Sequence, residues 1–98
     1  MDEERARGIA KQIAHGHAFG KHVAKGDDFP EVKTREDLEN LIAEILIDPK
    51  SVAKELRGGR QAYWSERRQT VVVLDRFSED GGTAYRPKAG REYFRLLR

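Results

Sequence analysis

The stretch from Leu56 to Leu74, LRGGRQAYWSERRQTVVVL, decides the fold, because the sequence changes character at Gly58-Gly59. After that pair, Arg60 to Ser65, Thr70 to Asp75, Gly82 to Arg86 and Arg91 to Leu97 are short runs rich in Val, Thr, Tyr, Phe and Trp. Polar or glycine-bearing connections of turn length separate them, which predicts an antiparallel meander. Val71-Val72-Val73-Leu74 lacks polar alternation and belongs in the centre of that sheet with both faces partly covered. Thr83-Ala84-Tyr85-Arg86 should keep one wet face, and Pro87 suits an edge.

Before the glycine pair the periodicity is helical. Leu38, Leu41, Ile42, Ile45 and Leu46 fall on one stripe behind a near capping box of Thr34 and Asp37, so this helix should pack on the sheet. Upstream, Ala6, Ile9, Ala10, Ile13 and Ala14 predict a helix from about Asp2 to about His15 with an acidic first turn. A second short helical stretch through His17 to Val23 carries Gly20 in its middle, and Asp27-Asp28-Phe29-Pro30 reads as loop. Asp48-Pro49 supplies an N-cap and a first-turn proline, predicting a short helix through Val52 and Leu56. The expectation is one α+β domain over residues 1–98, mainly helical over 1–57 and an antiparallel sheet of about four strands over 58–98, with the N-terminal helices packed on one face.

Composition narrows the function classes. A chain of 98 residues with 38% hydrophobic and 37% charged side chains supports one small core, and its eight Phe, Tyr and Trp argue against disorder. No cysteine is present, which excludes disulfides, thiolate zinc sites and a cysteine nucleophile. The longest wholly apolar run is too short to cross a bilayer, and the acidic start lacks the pattern of a signal peptide. Residues 1–50 carry 8 basic and 11 acidic side chains, whereas residues 51–98 carry 11 basic and 6 acidic ones. That basic half also holds the Trp and all three Tyr, a composition suited to a phosphate backbone and stacked bases, or to an arginine-rich solvated sheet face.

Two constellations carry candidate chemistry. His15, His17 and His22 lie within eight residues with Lys21 among them. RNA cleavage without metal needs a base for the ribose 2′-OH, an acid for the departing 5′-oxygen and a cation for the crowded phosphorane, and imidazole titrates near neutral pH. The bland alternative is a pair of surface histidines near a helix end. Zinc ligation is a weaker option, because the spacing lacks a two-histidine helical motif. The second constellation is Asp80-Gly81-Gly82-Thr83-Ala84-Tyr85-Arg86-Pro87, where Thr83 and Tyr85 share a sheet face with hydroxyls able to meet a phosphate oxygen. Its alternative is a hairpin turn and an edge strand. Tyr63-Trp64 is read as core, not as a stacking platform.

Taken in order, His17-Ala18-Phe19-x-Lys21-His22-Val23, Phe29-Pro30, Asp48-Pro49, Gly59-Arg60-x-Ala62-Tyr63-Trp64, Thr70-Val71-Val72, residues 80–87 and Gly90-Arg91-x-Tyr93-Phe94 form a pattern. Over about residues 15–97 it resembles the C-terminal tRNase toxin domain of contact-dependent inhibition proteins (CdiA) and related filamentous-haemagglutinin-like polypeptides. More distantly it is similar to the nuclease domain of colicin D, within the barnase/EndoU/colicin/RelE group of small α+β ribonucleases. The resemblance implies His22 as general base, Lys21 as phosphorane stabiliser, His17 as acid, and Thr83 and Tyr85 at the hydroxyl and aromatic positions of the terminal sheet. Arg86 and Arg91 are the implied phosphate contacts, joined by Arg60 and Lys88 in the basic half. It further implies a metal-independent tRNA endonuclease needing no cofactor, part of a larger secreted or cell-surface polypeptide and delivered into the target-cell cytoplasm. Its partners would be tRNA, a cognate immunity protein of acidic character and, in some systems, a host activating factor. Tyr85 stands where colicin D has tryptophan, and the lysine-rich approach to the Lys-His pair is missing, so the tRNA and the cut position stay open. Two other readings use the same basic aromatic sheet: a non-catalytic RNA-binding module, and a ribosome-dependent mRNA interferase of the RelE kind.

Overall fold

A computed structural model describes the whole chain, Met1–Arg98. Helix α1, Glu3–Ala14, starts where the Asp2 side chain accepts a hydrogen bond from the Arg5 amide, and its Ala6, Ala10, Ile13 and Ala14 are buried. A short α2, His17–Phe19, runs straight into a π-helical turn over Gly20–Ala24. Helix α3, Arg35–Ile47, opens on a full capping box: Thr34 Oγ1 accepts from the Asp37 amide at 3.0 Å and Asp37 Oδ2 accepts from the Thr34 amide at 3.1 Å. Its apolar stripe is buried against α1 and the sheet.

Four antiparallel strands, β1 (Val52–Glu55), β2 (Gln61–Ser65), β3 (Thr70–Leu74) and β4 (Gly82–Tyr85), lie in the order β1-β2-β3-β4. As the hydropathy of Val71–Leu74 predicts, β3 is buried along its whole length. On one face Val72, Leu74 and Ala84 join α1 and α3 in the main core. The fold is therefore α+β, with the N-terminal helices on one face of a four-stranded antiparallel sheet.

Two expectations need correction. The predicted helix after Asp48-Pro49 is strand β1, paired with β2 in the register Val52↔Trp64 to Glu55↔Gln61. Asp48 Oδ1 accepts from the Lys50 amide and Ser51 Oγ donates to the Ile45 carbonyl, so the proline region makes a turn that delivers Val52 to the sheet. The sheet thus begins before residue 58, inside the stretch assigned to helices. Gly58-Gly59, both at positive φ, form the β1–β2 connection. The predicted strand at Arg91–Leu97 is helix α4, Arg91–Leu96, entered through Gly90 at φ 59°. This helix seats Phe94 against Trp64, with Val71 and Val73, on the side opposite α1 and α3. Burial of Phe94 outweighs the aromatic strand propensity of Tyr93-Phe94.

Gly82 sits at φ 137°, and a Cβ there would lie 1.8 Å from the Val73 carbonyl oxygen. Gly82 thus lets the backbone of β4 lie close against β3.

Candidate active site

Helix geometry around Gly20 separates two adjacent residues. The Lys25 amide reaches back five residues to the Gly20 carbonyl at 3.1 Å, the widened spacing of a π turn, a feature common at functional sites. Lys21 faces outward and is exposed, while the His22 side chain turns in and keeps 17% of its surface. His22 Nδ1 donates to Asp28 Oδ2 at 2.9 Å. The ring stacks on Tyr85, with centroids 5.8 Å apart and planes 28° apart. A carboxylate on Nδ1 fixes the tautomer and leaves Nε2 for a ligand.

Tyr85 extends this chain. Its hydroxyl shares a hydrogen bond with the Tyr93 hydroxyl at 2.9 Å, and the two rings meet edge to face at 5.7 Å. Burial, and then the bond to Tyr93, push the Tyr85 phenol well above its ordinary value, so it is a proton-bearing donor throughout the neutral range. Thr83, two residues upstream in β4, is on the same strand face and half-buried. Asp28, His22, Tyr85 and Tyr93 therefore form one connected row.

Arg86 holds the loop that supplies Asp28. Its Nε donates to the Arg68 carbonyl and to Thr70 Oγ1, both at 3.0 Å. Nη1 donates to the Asp28 carbonyl at 3.1 Å and to Glu31 Oε1 at 2.7 Å, while Nη2 donates to the second Glu31 oxygen. The guanidinium also lies 4.6 Å from the centre of the Phe29 ring. Nearly all its donors are thus engaged within the protein. The hydrogen bond from Arg86 holds the Glu31 carboxyl down from 4.5 to about 2. A folded-state value below the unfolded one contributes stability that is present above pH 4.5 and lost as pH falls towards about 2. Because Glu31 is 44% exposed, screening reduces this to roughly 1 kcal/mol. Glu31→Gln should flatten the acid limb of urea-unfolding stability in that window, and an unchanged limb would show that the pair carries no pH-dependent stability.

The remaining predicted residues are dispersed. His17 makes no hydrogen bond to the His22 row; its Nδ1 donates to Asp80 Oδ2 at 2.6 Å while 94% of its side chain is exposed. It lines a hollow of about 350 Å³ with Gly16, Gly20, Lys21, Lys25 and Arg35. Lys21 is thus brought to His17 and not to the His22 ring. Arg91 pairs with Glu66 and stays 73% exposed. Arg60 donates to the carbonyls of Arg57 and Arg98, both at 3.1 Å. Lys88 is exposed beyond the end of β4, and His15 is an exposed helix cap. No three histidine or carboxylate side chains converge where they could hold a metal ion.

Sequence reading gave no role to Asp28, Tyr93 or Asp80. Asp28 stands six residues beyond His22, close enough to be read as a histidine–carboxylate pair, yet a loop of two aspartates before a proline offers no periodicity. Tyr93 fell in a segment read as strand, which hid its partnership with Tyr85.

No protein-family model matches the chain, and no curated protein does either. Among solved structures it is similar to a ribonuclease from Escherichia coli complexed with its inhibitor protein, at 18% identity over 96% of each chain with a TM-score of 0.45. A likeness at that level decides neither fold group nor activity. No helix is long and apolar enough to cross a membrane.

Proposed function

We propose that this chain is a metal-independent ribonuclease, a tRNA endonuclease toxin domain of the contact-dependent inhibition kind. The observation that carries the reading is the Asp28–His22–Tyr85 row: a histidine fixed through Nδ1 by a carboxylate and stacked on a protonated phenol. His22 Nε2 takes the proton of the ribose 2′-OH, and Asp28 balances the charge the ring acquires. The 2′-oxygen bonds to phosphorus, the bond from phosphorus to the 5′-oxygen breaks, and the leaving oxygen takes a proton from His17. The products are a 2′,3′-cyclic phosphate and a 5′-OH. Tyr85, with Tyr93 at its hydroxyl and Thr83 beside it, donates to the crowded phosphorane.

Arg91 and Lys88, exposed near Tyr93 and Tyr85, serve as phosphate contacts, and Arg60 extends that surface. Arg86 acts as a positioning residue through Asp28 and Glu31. An immunity protein of acidic character would cover this basic face. The domain would be carried by a larger secreted or cell-surface polypeptide and act in the target-cell cytoplasm.

Incubation with total cellular RNA in EDTA tests the reading. Discrete tRNA fragments ending in cyclic phosphate are expected; an absence of cleavage would leave a binding module, and cleavage only with ribosomes an mRNA interferase.

A further inference from the structure

The hollow beside His17 is chemically unlike four others on this surface. Its six lining residues include Lys21, Lys25 and Arg35 as well as His17, and none is acidic or apolar. Four other hollows, of about 230 to 550 Å³, each bring at least one Asp or Glu to their walls. Lys21 and Lys25 enter no ion pair, although the chain has 17 carboxylate side chains and pairs Arg68, Arg86, Arg91 and Arg95 with them.

Two of the four donors are fixed in advance. Arg35 Nη1 donates to the carbonyls of Ala14 at 2.8 Å and Gly16 at 3.2 Å, and its guanidinium lies 4.8 Å from the centre of the Phe19 ring. His17 is oriented by Asp80, which faces Nδ1 and leaves Nε2 free. Gly16 packs directly on Asp80, since a Cβ there would come within 2.8 Å of that side chain. The π turn places Lys21 and Lys25 on the same wall. The positive charges of Lys21, Lys25 and Arg35, none of them paired with a carboxylate, repel one another, and the arrangement gains free energy when an anion enters.

We propose that this hollow is a second phosphate-binding subsite, which takes the phosphate one nucleotide downstream of the cut. The subsite's place on the RNA rests on the nuclease reading. His17 protonates the leaving 5′-oxygen, so the strand that passes over it belongs to the departing nucleotide, and the next phosphate along that strand meets Lys21, Lys25 and Arg35. The hollow has room for a phosphate with part of its sugar.

The test has two arms. In the first, a dinucleotide with a free 3′-OH and the same dinucleotide with a 3′-phosphate are compared as substrates. The parent should prefer the phosphorylated one by about tenfold in kcat/KM, mainly through KM, and Lys25→Ala should largely remove the preference. Equal cleavage of the two by the parent overturns the subsite. In the second arm, inorganic phosphate is titrated against the parent by NMR. Saturable shifts at the Lys21 and Lys25 amides and the His17 ring are expected, weakened about tenfold in Lys25→Ala. If neither dinucleotide is cut while tRNA is, the downstream placement falls; if tRNA is not cut either, the nuclease reading falls with it, and in both cases the titration still decides whether the hollow binds phosphate. An absence of saturable shifts removes the site. Competition by polyglutamate as strong as by an oligonucleotide of equal charge would make it an acidic-protein face and overturn the proposal.

Discussion

His22→Ala is expected to lower RNA cleavage by about 10²- to 10⁴-fold, the usual contribution of a general base, with the parent's pH optimum near neutrality. Sequence alone predicts an exposed histidine whose loss leaves stability nearly unchanged. The structure revises that part, because the ring is 17% exposed, bonded to Asp28 and stacked on Tyr85. Its removal should cost about 1 kcal/mol, a drop in melting temperature of roughly 4–8 °C for a chain of this size. Cleavage must therefore be assayed well below the melting point of the variant. His15→Ala should be mild in both readouts, since His15 is an exposed helix cap. Parental cleavage by folded His22→Ala would refute the assignment and make His17 the candidate base.

Ile45→Ala should destabilise the fold by about 2–5 kcal/mol, a large part of the stability of a small domain. Ile45 is 1% exposed, within a core built from α1, α3 and the sheet face carrying Val72, Leu74 and Ala84. Two helices and a sheet meet there, so little collapse into the vacated space is possible and the cavity term stays large. Leu41→Ala, 7% exposed, should fall at the lower end of that range. Denaturant unfolding measures both; if both variants unfold with the parent, the stripe does not form the core.

The parts of the fold legible in the sequence are those where local pattern and burial agree. The α3 stripe repeats at helical spacing behind a strong N-cap, and Thr70–Leu74 is continuous in β-branched and apolar residues. Val52–Glu55 was misread because Ala53, Lys54 and Glu55 are good helix formers after a helix-start signal, and the pairing with β2 that makes it a strand is tertiary. Arg91–Leu96 was misread for the converse reason, since its aromatic pair favours a strand until Trp64 supplies a surface for Phe94. In the site, no spacing rule connects His22 with Tyr85, 63 positions apart; only the resemblance to known toxin domains set them in one place, and the structure stacks their rings. The separation of Lys21 from His22 was invisible for another reason. Neighbours in sequence are assigned to one site by default, and a π turn changes which side each one faces.

Arg86 has a further consequence in the order in which parts of the molecule come undone. One guanidinium just after the last strand binds the carbonyl of Asp28 and the carboxylate of Glu31, and through the Arg68 carbonyl and Thr70 hydroxyl it is also tied to the start of β3. The segment that carries the carboxylate bound to His22 is therefore expected to open with the sheet and not before it. Heat should extinguish the function of this molecule and melt its central strands at the same temperature, with no inactive but folded intermediate between.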